Sequence, residues 1–193
     1  MKDSQIWLRL KNGDAESITQ IIRNYYSDMY FFGLKISQSK ELTEDCIQEL
    51  LVDLWEKRAK LSNVQYIKSY LFKSLRRRII RSLTYDEPDV YNDPFQNDSF
   101  LPIEFSIEDQ IIEQQTNEQN KKFLLNALEK LSKRQKEIIY LKFYEKLDYS
   151  EIAKIMSLKR QSVHNLLQES VKSLQKHFKT FLTSSLFLLS LFI

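Results

Sequence analysis

Glycine is nearly absent from this chain. Only Gly13 and Gly33 serve all 193 positions, and the three prolines, Pro88, Pro94 and Pro102, fall within one short stretch. Hairpin turns and phosphate-cradling loops draw on glycine for backbone angles that other residues resist. A chain without it is built from long helices and polar turns, so the sequence predicts an all-α fold. The length allows one large or two small domains with a real core.

Other compositional features narrow the chemistry. The single cysteine, Cys46, has no partner for an internal disulfide and reads as a small packing residue. His164 and His177 have no histidine or cysteine neighbours at catalytic or metal-ligand spacing, so no catalytic residue, metal or cofactor is expected. Charged residues recur through the first helix, unlike a signal peptide, which points to a cytoplasmic protein.

The net charge of +3 conceals a division into blocks. Residues 1–83 carry 15 basic and 10 acidic side chains, residues 84–120 carry none and 10, and residues 121–193 carry 14 and 6. Residues 84–110 also hold all three prolines and read as an acidic linker between two helical domains, 1–83 and 111–180. The aromatics of that linker, such as Tyr91 and Phe95, exceed what a spacer needs, so part of it is expected to dock. Residues 181–193 form an uncharged tail, shorter than the roughly 20 residues that span a bilayer as a helix. No membrane span is expected; the tail reads as docked on the chain's own helices, with a partner site or an interfacial anchor as the alternatives.

Within the first domain a short helix, Ser4–Leu10, ends at Asn12 and Gly13, and Asp14 caps a second from Ala15 to about Lys35. Ile18, Ile21, Ile22, Tyr25, Tyr26 and Met29 give the second its apolar stripe, and Gly33 either admits a close helix contact or is merely tolerated. A third helix, Glu44–Arg58, is two-sided: Ile47, Leu50, Leu51 and Leu54 face the core, and Asp45, Gln48, Glu49, Asp53 and Glu56 face away. Thr43 is placed to cap it. Taken alone, such a face reads as solvated.

The fourth helix, Asn63–Leu83, is expected to open with a capping box of Ser62 and Gln65 and to bury a seam of Ile67, Leu71, Leu75 and Ile79. Around the seam stand Lys68, Lys73, Arg76, Arg77, Arg78 and Arg81, interleaved with Tyr66, Tyr70 and Phe72. Cations that neutralise phosphates beside rings that stack on bases suit an unpaired nucleic-acid strand. Packed aromatics with solvated cations would give the same pattern, as would a membrane or protein partner.

In the second domain, helical spacing resumes near Ile107 and is clear in Phe123, Leu124, Ala127, Leu128 and Leu131. Capping boxes at Ser132/Gln135 and Asp148/Glu151 open helices carrying Ile138, Ile139, Leu141 and Phe143, then Ile152, Ala153 and Met156. After a tight turn a longer helix places Val163, Leu166, Leu167, Val171 and Leu174 inside. Short helix, turn and long helix outline a helix-turn-helix, an arrangement also found in purely structural bundles. On its outward side, Gln161, Ser162, His164, Asn165, Gln168 and Lys172 are groups able to meet base edges or phosphates, with Lys159 and Arg160 at the start placed to grip phosphates. Amides pair with adenine, so the preferred site should lean toward A·T.

An acidic-faced helix, a basic and aromatic helix, an acidic linker and a terminal helix-turn-helix, in that order, resemble a bacterial sigma factor of the extracytoplasmic-function (ECF) group of the sigma-70 family. Glu44-Asp45-Cys46-Ile47-Gln48-Glu49 is similar to the family's core-binding motif, Tyr70-Leu71-Phe72-Lys73 with Arg76 to its minus-ten helix, and Leu147-Asp148-Tyr149-Ser150-Glu151-Ile152-Ala153 to the start of its minus-thirty-five reader. Departures are Arg77 in place of an asparagine, Ser157 in place of the turn glycine, and Leu166, Gln168 and Glu169 where arginines are common. The resemblance implies a non-enzymatic factor that binds RNA polymerase core and promoter DNA and takes no small-molecule substrate. It is compatible with an anti-sigma factor as a further partner. Asp45, Gln48, Glu49, Asp53 and Glu56 would meet polymerase. Tyr66, Lys68, Tyr70, Phe72, Lys73, Arg76 and Arg77 would meet the minus-ten strand, and Lys159, Arg160, Gln161, Ser162, His164, Asn165, Gln168 and Lys172 the upstream element. A helix-turn-helix regulator acting without polymerase, and a membrane-associated signalling adaptor, are the competing readings.

Overall fold

The structure, a computed structural model, describes the backbone of residues 3–84 and 127–190 and the side chains among them as far as Lys176. Every regular element among the described residues is helical, as the scarcity of glycine predicts, and they fall into two compact units. The expected linker at 84–110 lies outside the described residues but for Thr84, as do Ile107, Phe123, Leu124 and the last three residues of the tail.

The first unit consists of α1 (Asp3–Lys11), α2 (Ala15–Ser37), α3 (Lys40–Glu56), a 3-10 turn (Arg58–Lys60) and α4 (Ile67–Thr84). Gly13 takes the left-handed conformation (φ 84°) between the first two helices. Asp14 caps α2 by accepting from the Glu16 N–H at 3.0 Å, while its other oxygen accepts from Arg9 Nε at 2.6 Å. Along α2 the core face is carried by Ile21, Met29, Phe32 and Ile36, whereas Ile22 and Tyr26 of the expected stripe are exposed. The reason is tertiary: α3 and α4 both pack on α2, and the face they cover runs through Phe32 and Gly33.

Gly33 lies at the closest point of that packing. A Cβ there would sit 2.8 Å from Thr43 Cγ2 and 3.3 Å from both Leu75 Cδ2 and Ile79 Cδ1. Thr43 has little freedom to turn aside, because its hydroxyl donates to Ser39 O at 2.7 Å and lies 2.6 Å from Ser37 Oγ. Gly33→Ala should therefore lower the thermal midpoint: overpacking costs ~1–3 kcal/mol, against at most ~1 kcal/mol gained from helix propensity. A raised midpoint would show that the three helices can separate at no cost.

Two expected helix starts are corrected. Thr43 does not cap α3; the helix begins a turn earlier, with Ser39 Oγ accepting from Leu42 N at 3.2 Å, and Thr43 is buried inside it. Likewise α4 begins at Ile67 rather than Asn63, so Ser62 is not at its N-cap, and the Ile67 N–H is instead accepted by Asp3 of α1 at 2.9 Å. The seam of Ile67, Leu71, Leu75 and Ile79 is fully buried as expected. Cys46 is buried, and that burial pushes its thiol up, in keeping with a packing role.

The second unit begins, among described residues, with a helical turn that buries Ala127 and Leu128, followed by buried Leu131. Helix α5 (Lys133–Ile139) opens with the expected reciprocal capping box of Ser132 and Gln135 and runs into a π turn, Tyr140–Tyr144. That wider turn, closed by the Glu145 N–H on Tyr140 O at 3.1 Å, slips the helical register. Within the turn Leu141 is buried and Phe143 is exposed.

Helix α6 (Tyr149–Ile155) has the second expected capping box. The Glu151 N–H donates to Asp148 Oδ1 at 2.8 Å, and the Asp148 N–H donates to Glu151 Oε2 at 2.9 Å. It ends in a Schellman-type turn: Ser157 is left-handed (φ 54°) and the Leu158 N–H reaches Ala153 O at 2.9 Å. Helix α7 (Arg160–Ser190) then continues for 31 residues. The expected boundary at 180 is not a break in the backbone, since residues 181–190 prolong this helix. Their side chains, and with them the expected docking of the tail, lie outside the described residues. No helix among the described residues is long and apolar enough to cross a membrane.

Candidate functional site

Three surfaces carry the side chains singled out by sequence. The first is the outward side of α3, where Asp45, Gln48, Glu49 and Glu56 are exposed as their spacing predicts. Asp53 is partly buried, and it accepts from Lys57 and from Arg78 of α4; Arg78 also donates to Glu49 at 3.1 Å. The hydrogen bond from Lys57, followed by that from Arg78, holds the Asp53 carboxyl below the usual carboxylate range. The stability this pairing contributes is present above the unfolded carboxylate value, about 3.9, and is lost as pH falls through the lower folded value.

Sequence reasoning missed Val52 on this surface. It is 56% exposed, one helical turn from Gln48, Glu49 and Glu56. A signal was present, because Val52 is an apolar residue in the middle of the acidic side of that helix's periodicity.

The second surface belongs to α4 and the loop before it, and two residues must be removed from the expected set. Phe72 is fully buried, stacked on Phe32 with ring centroids 4.3 Å apart and planes 4° from parallel. Arg76 is only 3% exposed. Neither side chain is presented to a strand, because α2 and α3 cover a wider arc of α4 than its four-residue seam. Lys68 pairs with Asp28 at 2.8 Å, and Tyr70 packs edge-on against Trp7 with centroids 4.9 Å apart. Tyr66 and Arg77 are exposed and Lys73 is partly so. Tyr66, Tyr70, Lys73 and Arg77, at i, i+4, i+7 and i+11, run along one side as a mixed aromatic and cationic strip. Arg81 extends it, also exposed.

The third surface is on α7 and the turn before it. Lys159, Arg160, Gln161, Ser162, His164, Asn165, Gln168 and Lys172 are all exposed, while Val163 and Leu167 are buried against the rest of the unit. Gln161 Nε2 donates to Asn165 Oδ1 at 3.0 Å, which aligns two amides along the outer side. The His164 ring stands 6.0 Å from that of Tyr149 in α6. Lys142 of the π turn lies over the other end of this contact, 4.9 Å from the Tyr149 ring centre, and donates to Leu147 O at 3.2 Å. No group of metal-binding side chains occurs among the described residues.

Both units contain segments that match known protein families. A family model described as Sigma-70 region 2 matches residues 21–87, which hold α3, α4 and most of α2, and one described as Sigma-70, region 4 matches residues 124–174, which hold the helix-turn-helix. Over 178 residues, 85% of this chain and 84% of the relative, the sequence is 22% identical to the ECF RNA polymerase sigma factor SigX of Bacillus subtilis (strain 168). The fold is similar to that of CnrH in complex with the cytosolic domain of CnrY, with TM-score 0.60 and 12% identity over 92% of this chain and 97% of that one. It is also similar to the sigma factor RpoE in complex with the anti-sigma factor NepR from Bartonella quintana, with TM-score 0.54 and 19% identity over 86% and 98%. Two regions of one family matched in order, and a relative aligned across both, show that the chain belongs to the sigma-70 family, in its extracytoplasmic-function group.

Proposed function

We propose that the three surfaces divide the work of a sigma factor. As a member of this family the chain binds RNA polymerase core and directs promoter recognition. In our reading the outward side of α3, with Asp45, Gln48, Glu49, Glu56 and the apolar Val52, docks on polymerase; Asp53 serves mainly to hold α4 through Arg78. The strip from Tyr66 to Arg77, together with Lys68 and the loop before it, takes the unpaired minus-ten strand. There ring stacking and phosphate neutralisation offset the cost of opening base pairs. The outer side of α7 reads the upstream duplex: Lys159 and Arg160 hold phosphates, and the amides of Gln161, Asn165 and Gln168 meet base edges, flanked by Ser162, His164 and Lys172.

The observation that carries this reading is the simultaneous exposure of the acidic α3 side and all eight residues selected on the helix-turn-helix, each inside the matching sigma-70 region. Polymerase supplies the chemistry; the chain acts by binding and is not an enzyme. It works in the cytoplasm with polymerase, and an anti-sigma factor is a further partner, by analogy with the complex of RpoE and NepR.

Mapping the transcripts that polymerase core makes from genomic DNA with and without the chain tests the reading. Defined start sites should appear only with the chain and share an upstream element leaning toward A·T. If the chain binds promoters unaided and adds no starts, it is a helix-turn-helix regulator and the sigma mechanism fails.

A further inference from the structure

Helix α1 lies outside the segment matched to region 2, which starts at residue 21, and while it packs on α2, three of its side chains form hydrogen bonds that converge on the stretch leading into α4. Asp3 Oδ2 accepts from the Ile67 N–H at 2.9 Å, Trp7 Nε1 donates to Ser62 O at 2.9 Å, and Lys11 Nζ donates to Asn63 Oδ1 at 2.9 Å. The Trp7 ring also meets Tyr70 edge-on. Asp3 is held in its turn, because its other oxygen accepts from the Tyr25 hydroxyl at 2.7 Å. Burial, then this hydrogen bond, pushes the Tyr25 phenol up, so it remains a donor.

Residues 61–66 have no regular structure of their own. Left to itself such a loop samples many shapes, and a strand that binds it has to bear the cost of ordering it. We infer that α1 is a positioning element for promoter reading: Asp3 and Trp7 hold residues 61–66 and the first turn of α4 in the shape that meets the unpaired strand. The inference rests on the assignment of Tyr66 and its loop to the minus-ten element. Asp3 sets where α4 begins. Trp7 fixes both the loop, through the Ser62 carbonyl, and the orientation of Tyr70, the second aromatic of the strip. Neither side chain needs to touch DNA, and their effect is carried by the residues they hold.

The test uses the full chain with polymerase core, at saturating chain so that core affinity does not enter, on promoters randomised in the minus-ten element. Open complexes are sequenced to obtain base preferences. Trp7→Phe keeps a ring against Tyr70 but loses the donor to Ser62, and Asp3→Ala loses the cap of Ile67. Each should reduce discrimination between preferred and mismatched bases by about fivefold, the size expected when one such bond is lost. Asp3→Asn retains an acceptor for the Ile67 N–H and should restore most of the preference.

Leu10→Val weakens α1 in the core without touching the loop, and should leave base preferences as they are. If it relaxes them as much as Trp7→Phe, α1 contributes only stability and the inference is overturned. Tyr66→Ala separates the two levels. If it alters the preferences while Trp7→Phe and Asp3→Ala do not, the positioning role fails and the loop assignment stands; if it alters nothing, the assignment fails and takes the inference with it.

Discussion

Reversing the charge at Asp45 and Glu49 together should abolish polymerase binding while leaving helical content unchanged. Both side chains are exposed on α3, and Glu49 pairs with Arg78 at 3.1 Å through a carboxylate that is itself mostly in solvent, the kind of surface ion pair that contributes ~1 kcal/mol or less to a fold. Like charges set against a complementary partner cost several kcal/mol, so affinity should fall by about a hundredfold or more. Circular dichroism and a binding titration with core enzyme measure the two quantities. Affinity within about twofold of the unaltered chain would remove this side of α3 from the polymerase interface.

Phe72→Ala will show its effect in stability rather than in DNA binding. A ring at the surface, free to stack on a base, could be removed with little loss of stability. Phe72 instead is fully buried against Phe32, and removing such a ring costs ~3–5 kcal/mol, out of the ~5–15 kcal/mol by which domains are stable at all. For a unit of this size the thermal midpoint should drop by more than about 10 °C. A drop of only a few degrees, with the minus-ten affinity lost, would return Phe72 to the DNA-facing strip. Tyr66→Ala is the matching control, because Tyr66 is exposed.

These two outcomes also divide what could be read from the sequence from what could not. Three helix starts with a local cap were legible, Asp14 beside Glu16, Ser132 with Gln135 and Asp148 with Glu151, whereas at α3 the local cap Ser39 was passed over for Thr43 four residues on. The start of α4 was not legible, because its cap comes from Asp3, 64 residues away, while Ser62 and Gln65 imitate a local one. The seam of α4 was legible from its period, but its width was not. Phe72, Arg76 and Ile80 each follow a seam residue by one position, about 100° around the helix, and whether that second ridge is covered depends on helices elsewhere in the chain. The π turn at Tyr140–Tyr144 was not legible, because a constant helical period does not contain a register slip. The outward sides of α3 and α7 were legible because each is the polar complement of a short apolar stripe.

The distance in sequence between Asp3 and Ile67 bears on how the first unit is made. As the chain leaves the ribosome from its N-terminus, α1 emerges with Ile6, Trp7 and Leu10 ready to be covered, yet Ser62, Asn63 and Ile67 have not been synthesised. Bringing the ends of a 64-residue loop together costs ~4 kcal/mol in its length-dependent part, and no single hydrogen bond across it recovers that. The three bonds from α1 share one closure: once any of them forms, the other two become local. Docking of α1 on the stretch before α4 is thus a cooperative step that waits for translation to reach Ile67, and a nascent chain halted earlier lacks the partners that Ser62 and Tyr70 give to Trp7, leaving that side of the helix as the kind of apolar surface that chaperones bind.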